Sequence, residues 1–366
     1  MKPSISPGQL LMVGFRPEEE GQLLSLVAKG RIGGVILFGR NGEDALEVAR
    51  LCESLRRAAR EGPHATIPLV AVDQEQGRVC RIRRGVTRFP GASVLGTLDR
   101  PDTTARVARW VGLELKALGV HLNLAPVGDV TVRGRDSRAL AGRAFGSEPE
   151  RVASHARAWI RGSQGAGMAG CAKHFPGHGA VREDSHIAMP RDPTPLSGLR
   201  RGHLRPFRAA IRAGVSAIMV GHVAYDALDP GVPASLSFRV IQGLLRQELG
   251  YQGLVLTDDL EMGAVSRVRD PVQAAIQAIG AGADMALVGR KLTGEVEIQE
   301  LLEGLEDAVR RGRLPMNRVA ASVRRVLLFK RRWIPARWEL PPGPPATPRA
   351  ARLAGRLELQ ESGGGR

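Results

Sequence analysis

Aromatic residues are scarce in this chain, 4% of 366 positions with only two tyrosines, so the flat side chains on which nucleic-acid bases stack are few. Lysine is scarcer still among the cations: six of the 53 basic residues are lysine and the remainder arginine. No run of about 18 uninterrupted apolar residues occurs, so no membrane span is expected. The three cysteines, Cys52, Cys80 and Cys171, are odd in number, far apart and without CxxC spacing. That pattern fits buried or idle thiols in a reducing cytosol. The N-terminal stretch MKPSISPGQLLMVGFRPEEE has one lysine, a short apolar patch and no small-residue cleavage site before its acidic residues. It does not read as a secretory signal, and a cytoplasmic protein is expected.

What is abundant is arginine, and with it a formal net charge of +16. Clustered arginine would neutralise phosphates and point to nucleic acid. Here the arginines are spread along the whole chain, so the charge reads as solvated helix faces and no nucleic-acid partner is expected. With 43% hydrophobic content, the chain is long enough to bury one large core, and one domain of roughly 250 to 330 residues is possible if the fold is a barrel.

Eight short β-like runs punctuate the sequence: 10–15, 34–38, 69–73, 120–124, 170–174, 217–220, 254–257 and 285–288. Between them lie segments with apolar residues every three or four positions, among them 43–60, 103–118, 148–165, 196–213, 272–281 and 295–311. Alternation of strand and helix implies parallel strands, and eight units predict an α/β fold of the (β/α)₈ TIM-barrel type. A doubly wound open sheet is the runner-up, although no GxGxxG turn follows the first strand. The barrel domain is expected over residues 1–334. Proline clusters and then glycines over 335–366 predict a disordered tail, in which a short helix from Ala350 to Leu359 is possible.

The densest chemistry lies in KHFPGHGAVREDSH, residues 173–186, with a lysine, three histidines and an aspartate in fourteen positions. Asp184 and His186 stand two apart, so in extended backbone both side chains point the same way. A carboxylate beside an imidazole fixes its tautomer and raises its basicity, as proton transfer requires. Other polar residues fall where the strands end: Asp73, Lys173 with His174, His222, and Asp258 with Asp259. In a barrel these positions share the C-terminal mouth.

KHFPGHG followed by DSH, the segment DQEQGRVCR, the run AGRAFG at 141–146 and GYQGLVLTDDLEMGAV at 250–265 together resemble glycoside hydrolase family 3, in particular its single-domain bacterial β-N-acetylglucosaminidases of cell-wall recycling. The resemblance runs in order from about Gly8 to Arg331. It implies retaining, two-step hydrolysis of terminal β-linked N-acetylglucosamine with Asp258 as nucleophile and His186, oriented by Asp184, as acid/base. A carboxylate at a strand end can make such an attack, and a histidine titrating near neutrality can donate and then accept the proton. It also implies that Asp73, Arg81, Arg143, Lys173 and His174 bind the sugar, with His222 at the pocket floor and His178 bracing the 177–179 turn. The substrate would be a carbohydrate containing N-acetylglucosamine, a muropeptide or a simpler chitooligosaccharide; no cofactor, metal or membrane partner is implied, and the type often acts as a monomer.

Two departures fall near the sugar pocket. Gln76 and the residues around Arg143 in AGRAFG differ from the more usual pattern, which has a second glycine at the former and a flanking glutamate and serine at the latter. Other readings of the same residues are a phosphorylase, because a histidine acid would not repel phosphate, a metal-dependent hydrolase using His174, His178, Asp184 and His186, and a non-enzymatic binding protein. For Asp258 itself the alternative is an N-cap, since TDD before a helix suits that role equally well.

Overall fold

In the computed structural model, which describes residues 6–63, 66–132, 139–179, 181, 189–290 and 297–363, the eight apolar runs become the staves of a closed parallel barrel. They are β1 (Leu11–Val13), β2 (Gly34–Leu37), β3 (Leu69–Val72), β4 (Leu122–Asn123), β5 (Ala169–Phe175), β6 (Ala217–Val220), β7 (Leu254–Asp259) and β8 (Met285–Val288). Their order around the barrel is their order in the chain. Gly34 to Leu37 pair in step with Leu69 to Val72, and Leu254 to Thr257 with Ala217 to Val220. Closure comes from β1 lying beside β8, Leu11 opposite Ala286 through Val13 opposite Val288. An open doubly wound sheet is thereby excluded. The strands read as continuous apolar runs because both faces are covered, by side chains inside the barrel and by helices outside.

The helices form where the apolar period is 3.6. Ala45–Glu61 buries Val48, Ala49, Cys52, Leu55 and Ala59, and starts on Asp44, whose carboxylate accepts the Leu46 N–H at 2.9 Å. Pro101–Ala117, Pro149–Gly165 and Pro271–Ala281 each open on a proline, which lacks the N–H that a first turn leaves unpaired. The expected single helix over 196–213 is instead two, Leu196–Arg201 and Leu204–Arg212, parted at Gly202, whose φ of −103° and ψ of −88° leave the helical region. The periodic stretch at 295–311 is a helix over Ile298–Arg310, with residues 291–296 outside the described set.

Beyond Pro335, where composition led to an expectation of disorder, the structure carries a helix over Pro348–Gly363. Ala350, Leu353, Ala354 and Leu357 are buried in the main core. Their three- and four-residue spacing makes one apolar stripe, which the proline-rich approach obscured. Trp338 anchors that approach by donating its indole N–H to the Ala117 carbonyl at 3.1 Å.

The end of the barrel where the strands begin is pinned by polar contacts. The Asp284 carboxylate, just before β8, meets Arg246 at 2.6 Å, Arg325 at 3.1 Å and the Ser322 hydroxyl at 2.8 Å. Lys330 donates to Gln9 at 2.8 Å, and burial lowers its pKa to about 7. In barrels this face serves stability, whereas chemistry belongs to the opposite one.

Candidate active site

At the opposite end, β3, β5 and β7 deliver their last residues to a cavity of about 280 Å³. Asp73 follows β3 directly, Lys173 and His174 lie near the end of β5, and Asp258 is the penultimate residue of β7. All four line the cavity, with Met219, Met262 and Leu287 supplying apolar wall. Four residues scattered over some 185 positions of sequence thus meet because parallel strands all end on one face.

Lys173 is the hub. Its ammonium, 2% exposed, lies 2.6 Å from Asp73 Oδ1 and 2.6 Å from Glu75 Oε1. Burial opposes ionisation of all three groups, but their mutual attraction prevails, holding Asp73 and Glu75 below the usual carboxylate range and Lys173 above its own. Arg81 approaches Asp73 at 3.5 Å. Arg143, expected to donate to a sugar, lines the cavity but engages its fork elsewhere: Nε and Nη2 donate to Glu75 at 2.8 Å each, and Nη1 to the Ala139 carbonyl. Such a bidentate pair is geometrically selective, and it locks Glu75 against Lys173. Glu75 escaped the sequence reading; its signal is position, two residues beyond Asp73, where extended backbone turns both side chains the same way.

His174 is held by a residue that the sequence reading also missed. Beyond β4 the chain keeps running along β5, with Cys171 N–H bonded to the Ala125 carbonyl and Lys173 N–H to that of Pro126. This carries Asp129, fully buried, to His174, whose Nδ1 lies 2.7 Å from its Oδ2. The His178 N–H donates to Asp129 Oδ1 at 2.7 Å, so the expected bracing at His178 runs through its backbone. Burial works against ionisation of Asp129, yet His174 and the His178 amide bring its pKa to about 2.

Asp258 turns Oδ2 toward His174 Nε2 at 3.9 Å and accepts the Asp259 N–H on Oδ1 at 2.8 Å. Burial pushes its pKa up, but His174, His222 and that amide outweigh burial and hold it below the ordinary range. It caps no helix: β7 continues through Asp259, and the following helix starts at Gly263 with Met262 before it. The bracing falls to its neighbour, since Asp259 Oδ1 accepts the N–H groups of Glu261 and Gly289. Gly289 is required here, because a Cβ would lie 2.2 Å from Asp259 Oδ2. His222 is buried outside the cavity lining, its Nδ1 2.7 Å from Ser235 Oγ and its Nε2 2.9 Å from the Asp259 carbonyl. It supports the β7 end from behind.

Over the mouth folds a hairpin, Gln74–Gln76 against Val79–Cys80, which carries Arg78 and Arg81 to the rim. Its turn needs left-handed backbone at Gln76, φ 76°, and Gly77, φ 60°. Gln76 tolerates that conformation while its side chain accepts the Phe89 N–H at 3.0 Å. Gln76→Gly removes strain of roughly 1–2 kcal/mol and a buried acceptor worth about the same. We therefore expect a stability change within ~1 kcal/mol by urea unfolding; a loss above about 2 kcal/mol would show that the tether dominates. Asp184 and His186 lie outside the described residues. Among the described residues no three His, Cys, Asp or Glu side chains gather as a metal site.

A closed barrel that converges carboxylates and charged hydrogen-bond donors on a small mouth cavity is the layout of a barrel hydrolase for a polyhydroxylated substrate. The chain belongs to glycosyl hydrolase family 3, whose N-terminal domain model matches residues 6–329. It is 42% identical over 290 residues to a beta-hexosaminidase of Alkalilimnicola ehrlichii, covering 76% of this chain and 80% of the relative. A beta-hexosaminidase of Pseudomonas aeruginosa is 40% identical over 258 residues, 70% of this chain and 75% of that one. Among solved structures, a family 3 beta-N-acetylglucosaminidase from Paenibacillus sp. superposes with a TM-score of 0.91 at 37% identity, covering 98% of this chain and 68% of its own. A beta-N-acetylhexosaminidase from Beutenbergia cavernae gives 0.79 at 32% identity, covering 90% and 98%.

Proposed function

We propose that the protein is a retaining exo-β-N-acetylglucosaminidase, with Asp258 as nucleophile. The observation that carries this is Asp258 itself, a carboxylate held ionised at the end of β7 and facing the cavity, whose one hydrogen bond among the described residues is from its own neighbour's amide. In the first step an Asp258 oxygen bonds to the anomeric carbon as the bond to the leaving oxygen breaks; water reverses this in the second. The leaving oxygen takes its proton from His186, oriented by Asp184, the roles that the family resemblance assigns them. Asp73 and Lys173, fixed by each other, offer an acceptor and a donor to sugar hydroxyls, and such charged pairs discriminate stereochemistry well. A cavity this small suits one sugar unit at a chain end, which is what exo action requires.

The finer substrate reading, a muropeptide, is supported by the cationic rim at Arg78 and Arg81, suited to an aglycone carrying carboxylates. No helix among the described residues is long and apolar enough to cross a membrane. Cys52, Cys80 and Cys171 are buried free thiols, which accords with action in the cytoplasm, and we take the active unit to be a monomer; fractionation and sedimentation test these two points.

The direct assay is release of nitrophenol from the N-acetyl-β-glucosaminide in chelator-containing buffer without phosphate. Turnover is expected; a requirement for phosphate would overturn the hydrolase reading, and a requirement for a metal would overturn the metal-independent double displacement. Because Asp258 is held below the usual carboxylate value of about 3.9, its ionised form persists through mild acid. The acid limb of kcat/KM is therefore expected below about pH 4, and a limb near pH 5–6 would assign that titration to another group.

A further inference from the structure

Asp129 contributes no atom to the cavity lining, so it cannot touch a bound sugar, yet it receives three N–H groups. They are His174 Nδ1 at 2.7 Å, the His174 backbone at 3.3 Å and the His178 backbone at 2.7 Å. A carboxylate only accepts, so Nδ1 must carry a proton, and the other ring nitrogen, Nε2, is the one presented to Asp258. The 3.9 Å between Nε2 and Asp258 Oδ2 exceeds a direct hydrogen bond. It leaves room for one substrate oxygen within reach of both. Gly221 lets the chain after β6 pack closely on His174, since a Cβ there would lie 3.0 Å from His174 Cβ, and the ring is keyed at its Nδ1 edge by Asp129.

We propose that Asp129 is a positioning residue for glycoside hydrolysis, fixing the orientation and tautomer of His174 so that Nε2 meets the substrate beside the attacking oxygen of Asp258. The alternative is a purely structural clamp on the ends of β4 and β5. The two differ in what happens when His174 is absent. This inference rests on the active-site reading above, but its spectroscopic half does not depend on the role of Asp258.

Asp129→Asn keeps an oxygen for the two backbone N–H groups while presenting an amide N–H to His174 Nδ1, which reverses the tautomer. In a histidine–aspartate pair that shuttles protons, such a change costs about 10⁴-fold in rate; His174 contacts the substrate without shuttling a proton, so kcat/KM is expected to fall on the order of 10- to 100-fold, mostly in kcat. In a His174→Ala background the same change should add less than about threefold, because the effect runs through the ring. A full additive loss there would make Asp129 structural and overturn the proposal. If Asp129→Asn does not fold, ¹⁵N NMR of the imidazoles in the unmodified protein decides: a proton on His174 Nδ1 is expected, and a ring protonated only at Nε2 would overturn it. Should Asp258→Ala retain activity while the His174 result holds, the nucleophile assignment alone falls.

Discussion

Asp258→Ala is expected to abolish glycosidase activity, lowering kcat by at least about 10⁴-fold, while leaving the fold intact. The size follows from covalent catalysis, in which loss of the nucleophile removes the intermediate and not merely a contact. The unchanged stability follows from the contacts. Among the described residues Asp258 accepts a single N–H, that of Asp259, whereas the loops after β7 and β8 hang on Asp259. Were Asp258 a helix cap, alanine would cost about 1 kcal/mol of stability and little activity. Thermal unfolding and steady-state kinetics on one preparation separate the two outcomes.

Lys173→Met is expected to destabilise the protein by about 3–5 kcal/mol at neutral pH, the usual result of leaving buried charges without their partner. Two carboxylates would then face each other, with Arg143 still on Glu75 but only the more distant Arg81 beside Asp73. The pH dependence carries a sign. In the intact protein Asp73 and Glu75 titrate below their unfolded values, so their stabilisation is present above about pH 4 and is lost as pH falls through the folded values. Without Lys173 that depression shrinks, so the stability gap between the two proteins should be widest near neutrality and narrow in acid. A gap below about 1 kcal/mol, or one independent of pH, would contradict the hub role. Activity should fall as well, since Asp73 loses the ion that orients it.

The barrel was legible because each stave is a short, mostly apolar run, and three of them, β3, β5 and β7, end at the polar residues where the chemistry sits. Asp73, Lys173, His174 and Asp258 could be proposed to share one cavity from strand ends alone. What stayed hidden depends on partners far along the chain. Arg143 reads as a sugar donor, and nothing in its own segment shows that Glu75, 68 residues earlier, takes two of its N–H groups. Asp129 is one acid in PVGDV and acquires meaning only when β4 overruns along β5. His222 looked like pocket floor from its place after β6, yet both ring nitrogens turn toward Ser235 and the Asp259 carbonyl. Helix Met316–Trp333 was masked by arginines interleaved with its buried Val319, Val323, Val326 and Phe329, and the tail helix by the prolines before it.

The most direct test of the account is to trap the intermediate. Incubation with a slowly turned-over fluorinated N-acetylglucosaminyl donor, followed by digestion and mass spectrometry, should show one sugar adduct on the peptide carrying Asp258 and none on Asp258→Ala. An adduct on another residue, or turnover that releases the inverted anomer with no adduct at all, would contradict it.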